Sequence, residues 1–185
     1  MKGTPAVQST CSCANRSHLH PWTAIDRLID GAPDATVSDL EAHGVHLLAA
    51  RHWRLADQPV PTQLIADEHS AVAYSLAVPV LLHRIRAILD GPILLLKGPE
   101  VAAAYLDPVL RQFGDLDLLV PDAPAEQARM LRAGFELAPG HAFEHQERDI
   151  RWPGLPLVIE IHRTPYWPIW MTPPTAEQLF AEAIP

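Results

Sequence analysis

At 185 residues with 48% hydrophobic side chains, the chain has material for one domain with a sizeable core, which excludes wholesale disorder. Its 22 acidic residues outnumber 14 basic ones for a formal charge of -8, which disfavours a large polyanionic nucleic acid as partner. No apolar run approaches the ~20 residues that span a bilayer, and the polar segment 1–15 lacks the apolar stretch of a secretory signal.

Residues 1–20 read as a flexible tail. Cys11 and Cys13, one residue apart, are too close for a structural disulfide. With His18 and His20 they offer zinc-type ligands, but in an order that matches no finger pattern. The absence of other thiols points to a reducing cytoplasm. A helical segment is expected over 21–90. It begins with a short helix at 22–30 stopped by Gly31-Ala32-Pro33, followed by a helix at 39–53 with Ser38 as N-cap. Gln58-Pro59-Val60-Pro61 connects it to a long helical stretch at 62–89, in which Pro79 predicts a kink or break near Val78.

After Asp90-Gly91-Pro92 the pattern changes, and 91–185 reads as a second unit. Ile93 to Leu96 is a continuous apolar run suited to a buried strand, and Lys97-Gly98 turns the chain into a helix that Pro99 begins. A strand follows at 115–120, then a helix at 124–133 closed by Gly134 and a short third strand at 135–137. Segments 142–152 and 157–162 read as a hairpin around Pro153-Gly154-Leu155-Pro156. An irregular Pro- and Trp-rich stretch and a terminal helix at 175–183 complete an α+β chain, helical first and then a small mixed sheet flanked by helices.

The most informative stretch is Phe113-Gly114-Asp115-Leu116-Asp117-Leu118-Leu119-Val120. Strand alternation points Asp115 and Asp117 the same way while Leu116 and Leu118 enter a core. Two adjacent carboxylates repel and resist burial, and a cation between them removes both costs, which makes a divalent-metal site, with magnesium as the ion, the leading explanation. Glu160, in Leu157-Val158-Ile159-Glu160-Ile161-His162, is a third carboxylate in an apolar run. If its strand lies beside the aspartate strand, three acids converge. The competing reading is that the aspartates cap a turn or pair with Arg111, and that Glu160 faces water.

Strand, glycine turn, helix, Asp-x-Asp strand and later acidic strand together resemble the nucleotidyltransferase superfamily typified by DNA polymerase beta. Leu95-Leu96-Lys97-Gly98, Tyr105-Leu106-Asp107-Pro108, Arg111, Gly114 to Val120 and Glu160-Ile161-His162 resemble more closely a bacterial family of uncharacterised nucleotidyltransferases. The resemblance implies two Mg2+ ions held by Asp115, Asp117 and Glu160, with Glu160 as third ligand or as base. It implies a nucleoside triphosphate such as ATP against Gly98, neutralised by Lys97 or Arg111, and an acceptor hydroxyl on a small molecule, peptide or protein. His162 would touch substrate or orient Glu160. Two departures stand out. Pro99 replaces the serine that usually follows the glycine, and the chain ends at Pro185 where a further helical region is expected. The rival implied by these departures is a catalytically inactive nucleotidyltransferase fold serving as a binding or antitoxin-like module. A phosphotransferase or hydrolase using the same acids lacks a G-x-x-x-x-G-K-[ST] loop. His141 and His145 read as surface residues, and Trp152, Trp167 and Trp170 as packing residues before base-stacking ones.

Overall fold

A computed structural model describes residues 21–32, 34–168 and 170–183. The expected tail at 1–20, with Cys11 and Cys13, and the expected stop at Pro33 lie outside the described residues.

The helical half begins with α1 (Pro21–Asp30), α2 (Val37–Ala42) and α3 (His46–Leu55). The single helix expected at 39–53 is therefore two. Thr36, not Ser38, is the N-cap of α2: its hydroxyl accepts from the Asp39 N–H while the Asp39 carboxylate accepts from the Thr36 N–H. The break comes at Gly44, whose φ of 65° only glycine adopts freely. There the Val45 N–H donates to the Leu40 carbonyl and the Gly44 N–H to that of Glu41, the bonding of a Schellman C-terminus. Asp26 then ties α1 to α3 through Arg51 at 3.2 Å, and Asp30 does so through His52 at 2.7 Å.

Helix α4 (Thr62–Ile88) runs without a break through Pro79. An interior proline costs about 3 kcal/mol. Burial of Val78, Leu81 and Ile85 beside it contributes about 1.5–3 kcal/mol each, and that outweighs the penalty. By length and composition α4 is long enough and apolar enough to cross a membrane, contrary to the expectation of no such run. In this fold one face, with Leu64, Ala71, Val78, Leu81 and Ile85, is buried, while Leu76 and Val80 are exposed.

Five strands form a mixed sheet in the order β1-β2-β5-β4-β3. They are β1 (Leu94–Leu95), β2 (Asp115–Leu119), β3 (Glu136–Leu137), β4 (Ile150–Arg151) and β5 (Val158–His162). Helix α5 (Pro99–Ala103) and a 3-10 turn (Pro108–Leu110) link β1 to β2, α6 (Ala123–Arg132) follows β2, and α7 (Ala176–Glu182) ends the described chain. The central pair, β2 and β5, is parallel. Leu116, Leu118, Ile150, Ile159 and Ile161 form one core with Val78, Leu81 and Ile85 of α4 and Met130 of α6.

The expected hairpin exists only where β4 pairs antiparallel with β5. Residues 142–149 instead form a loop with two isolated bridges, Phe143 to Gln146 and Gln146 to His162. Glu144-His145-Gln146-Glu147-Arg148-Asp149 has no apolar alternation to seat a strand on a core. The loop is clasped to β5: the Glu147 N–H donates to the Ile161 carbonyl, and the Arg163 N–H to that of His145, both at 2.9 Å.

Candidate functional site

The sheet face opposite α4 carries the acids. Parallel register sets Asp117 beside Glu160, so both project from the same face, joined by Asp115 two residues back on β2 and His162 two residues on along β5. The β1-to-α5 turn is pinned to this edge, with the Leu96 N–H donating to the Asp117 carbonyl at 2.9 Å. That bond delivers Lys97 to the aspartates. Its Nζ lies 3.3 Å from Asp115 Oδ2 and 3.2 Å from Asp117 Oδ2. On the other side of Asp117, His162 Nε2 lies 3.0 Å from Asp117 Oδ1 and 3.3 Å from Glu160 Oε2. Each gap between carboxylates therefore holds a nitrogen.

Burial is graded across the cluster. The Asp117 side chain is 3% exposed and that of His162 6%, against 34% for Asp115 and 51% for Lys97. Burial alone pulls the His162 imidazole down, but hydrogen bonds to Asp117 and Glu160 outweigh it and raise its pKa to about 9. Burial likewise pushes Asp117 up, yet His162 and Lys97 together hold it below the ordinary carboxylate value. Lys97 loses by desolvation and gains more from Asp117 and Asp115, so its pKa rises. At neutral pH the cluster is a set of anions tied by two cations.

The donor set also fits a metal. Asp117, Glu160 and, once its proton is lost, His162 each offer a ligand atom, all within 4.8 Å of one another. Asp117 Oδ2 is buried and faces the Lys97 ammonium at 3.2 Å, an oxygen that a hard cation could take in that ammonium's place. Asp115 stands at the rim and joins the set only through Lys97.

The family described as uncharacterised nucleotidyltransferase matches residues 32–185. The chain belongs to that family. No curated protein and no solved structure matches it.

Around this cluster lies a cavity of about 610 Å³. Its lining includes two residues that the sequence does not mark as part of a site. One is Asp149: continuing the β4–β5 register by one residue places it across from Glu160. Burial, and then the charge of Glu160, raise its pKa, while Gln146 Nε2 donates to its Oδ1 at 3.0 Å. The other is His145, expected at the surface but half-buried, with its ring stacked on that of His162 at 5.8 Å. Neither role has a local sequence signal, since both follow from the clasp of 143–149 against β5. His141 is exposed, as expected.

Among the other expected residues, Gly98 has φ 94°, and a Cβ there would lie 3.4 Å from the Asp115 carbonyl. Glycine at this turn lets the chain pass closely over β2 while presenting Lys97. Arg111 is not brought to the cluster. Its guanidinium donates to the Gln112 carbonyl and lines a separate cleft of about 190 Å³ with Tyr74, Pro79 and Phe113. Trp152 packs edge-on against Phe135 and under Arg84, away from the acids, whereas Trp167 lines the cavity.

Proposed function

We propose that the chain is a magnesium-dependent nucleotidyltransferase of the DNA polymerase beta type, passing a nucleoside monophosphate from a nucleoside triphosphate to an acceptor hydroxyl with release of pyrophosphate. The observation that carries this is the in-register pairing of Asp117 with Glu160 on the central parallel strands, with Asp115 on the same face. Family membership supports the reaction class.

In this reading Asp115, Asp117 and Glu160 hold two Mg2+ ions. Bound there, magnesium supplies charge neutralisation of the triphosphate and a lowered pKa for the attacking hydroxyl. The protein's part is positioning. Lys97 adds a cation next to the triphosphate, and Gly98 keeps the adjoining backbone open to it. Glu160 is the third ligand or takes the acceptor's proton, and protonated His162 orients Asp117 and Glu160 together. The formal charge of -8 favours a small molecule, peptide or protein as acceptor over a nucleic acid.

The second reading is a catalytically inactive nucleotidyltransferase fold that binds a partner. One observation favours it: Lys97 and His162 already stand between the carboxylates, so two of the three negative charges are balanced without ions. Pyrophosphate release measured with each triphosphate, with and without Mg2+, separates the two. The proposal expects metal-dependent turnover in the wild type and none in the Asp115→Asn/Asp117→Asn double variant. Triphosphate binding indifferent to both metal and substitution supports the inactive module.

A further inference from the structure

The cavity above the acids has a second chemical character that the phosphate chemistry does not use. Its floor is Asp117, Glu160 and His162, and its mouth is aromatic, with Phe143, His145, Tyr166 and Trp167 all lining it. The rings are ordered. Phe143 stacks on His145 with centroids 5.8 Å apart and planes 18° apart, and His145 stacks on His162 at the same spacing with planes 20° apart. Tyr166 leans on His145 at 5.4 Å and 47°. A ladder of parallel rings thus climbs from the acid floor to the rim.

The ladder ends on open aromatic surface. Phe143 is 57% exposed and Tyr166 76% exposed. Each leaves ring area in water that burial against a flat partner would recover. The cavity's volume of about 610 Å³ lies within the range of about 300–1,000 Å³ typical of small-molecule sites.

We propose that Phe143 and Tyr166 form the base-stacking platform for the nucleoside triphosphate, adding a heteroaromatic ring to the top of the His162–His145–Phe143 ladder. This rests on the nucleotidyltransferase reading above and deepens it by assigning the nucleoside moiety a place. The cavity of about 610 Å³ beside these rings reaches from the acids to Phe143 and Tyr166, room for a ribose between a base at the rim and phosphates at the acids. The platform presents no directed hydrogen-bond donor or acceptor beyond the Tyr166 hydroxyl, so recognition is by ring face and discriminates weakly among bases.

The test is calorimetric and uses two probes in the presence of Mg2+: a non-hydrolysable ATP analogue and inorganic tripolyphosphate, which has no base. Stacking is worth about 1–3 kcal/mol per base, or roughly 5- to 150-fold in affinity. Phe143→Ala and Tyr166→Ala are expected to weaken the ATP analogue by at least about fivefold each while tripolyphosphate binding stays within about twofold. Tyr166→Phe should bind the analogue like the wild type. Both side chains are exposed, and unchanged circular dichroism confirms the fold of each variant. Unchanged affinity for the analogue in both alanine variants overturns the platform, as does equal weakening of both probes. Asp117→Asn keeps the two readings apart. If it does not weaken tripolyphosphate binding, or if neither probe binds the wild type, the nucleotidyltransferase reading fails and takes the platform with it.

Discussion

Strands β2 and β5 are built from alternating residues, and the two faces they present are held by different physics. Toward α4 and α6, Leu116, Leu118, Ile159 and Ile161 are all fully buried and stabilise the sheet by removing apolar area from water. On the opposite face, one residue away in each case, Asp115, Asp117, Glu160 and His162 gain nothing from burial as such. Their proximity is tolerated because Lys97 and protonated His162 stand between the carboxylates. The first face is a matter of volume and packing, and is indifferent to pH and ions. The second depends on which cations are present. A sheet that carries both can keep its core while its other surface changes charge partners.

Substitutions on the two faces should separate these effects. The largest loss of stability is expected on the apolar face. Ile159→Ala, at a fully buried position, should cost about 2–5 kcal/mol in chemical denaturation, with no dependence on pH or Mg2+. Next comes the pH response of the polar face, measured with a chelator present. His162 has a folded pKa raised from 6.5 to about 9, so the stability it contributes is full below 6.5, shrinks as pH rises from there, and is gone above about 9. Thermal melts of the wild type should fall across that window, and His162→Gln should flatten the fall. Asp117 works in the opposite sense: its folded pKa is lowered, so its contribution is present above its ordinary value of 3.8 and is lost as pH falls below it. The smallest effect belongs to Lys97→Met. Lys97 is half exposed, so its loss should cost under about 1 kcal/mol, and Mg2+ should stabilise this variant more than it does the wild type.

Much of this contrast is legible in the sequence. Alternation along β2 placed Asp115 and Asp117 opposite Leu116 and Leu118, because strand periodicity is a local property. The α+β class, helical half first, followed from the change of pattern after Gly91. What could not be read was non-local. The parallel register that sets Asp117 beside Glu160 depends on a crossover through α6, β3 and β4. Asp149 and His145 enter the cavity only because a polar loop folds back onto β5. Arg111 lies in a different cleft because the 3-10 turn before it carries its side chain toward α4. The division of the expected 39–53 helix was legible in principle, since Gly44 marks a C-terminus, but the apolar rhythm of Leu40, Val45, Leu47 and Leu48 masked it.

The central claim is that the acids of β2 and β5 form one cation site, and direct ion binding tests it without requiring the acceptor. Mn2+, used as a spectroscopic substitute for Mg2+, should bind the wild type in the presence of a non-hydrolysable ATP analogue with two ions per chain, and Asp117→Asn or Glu160→Gln should each abolish at least one of them. Equal Mn2+ binding by wild type and both variants would contradict the account.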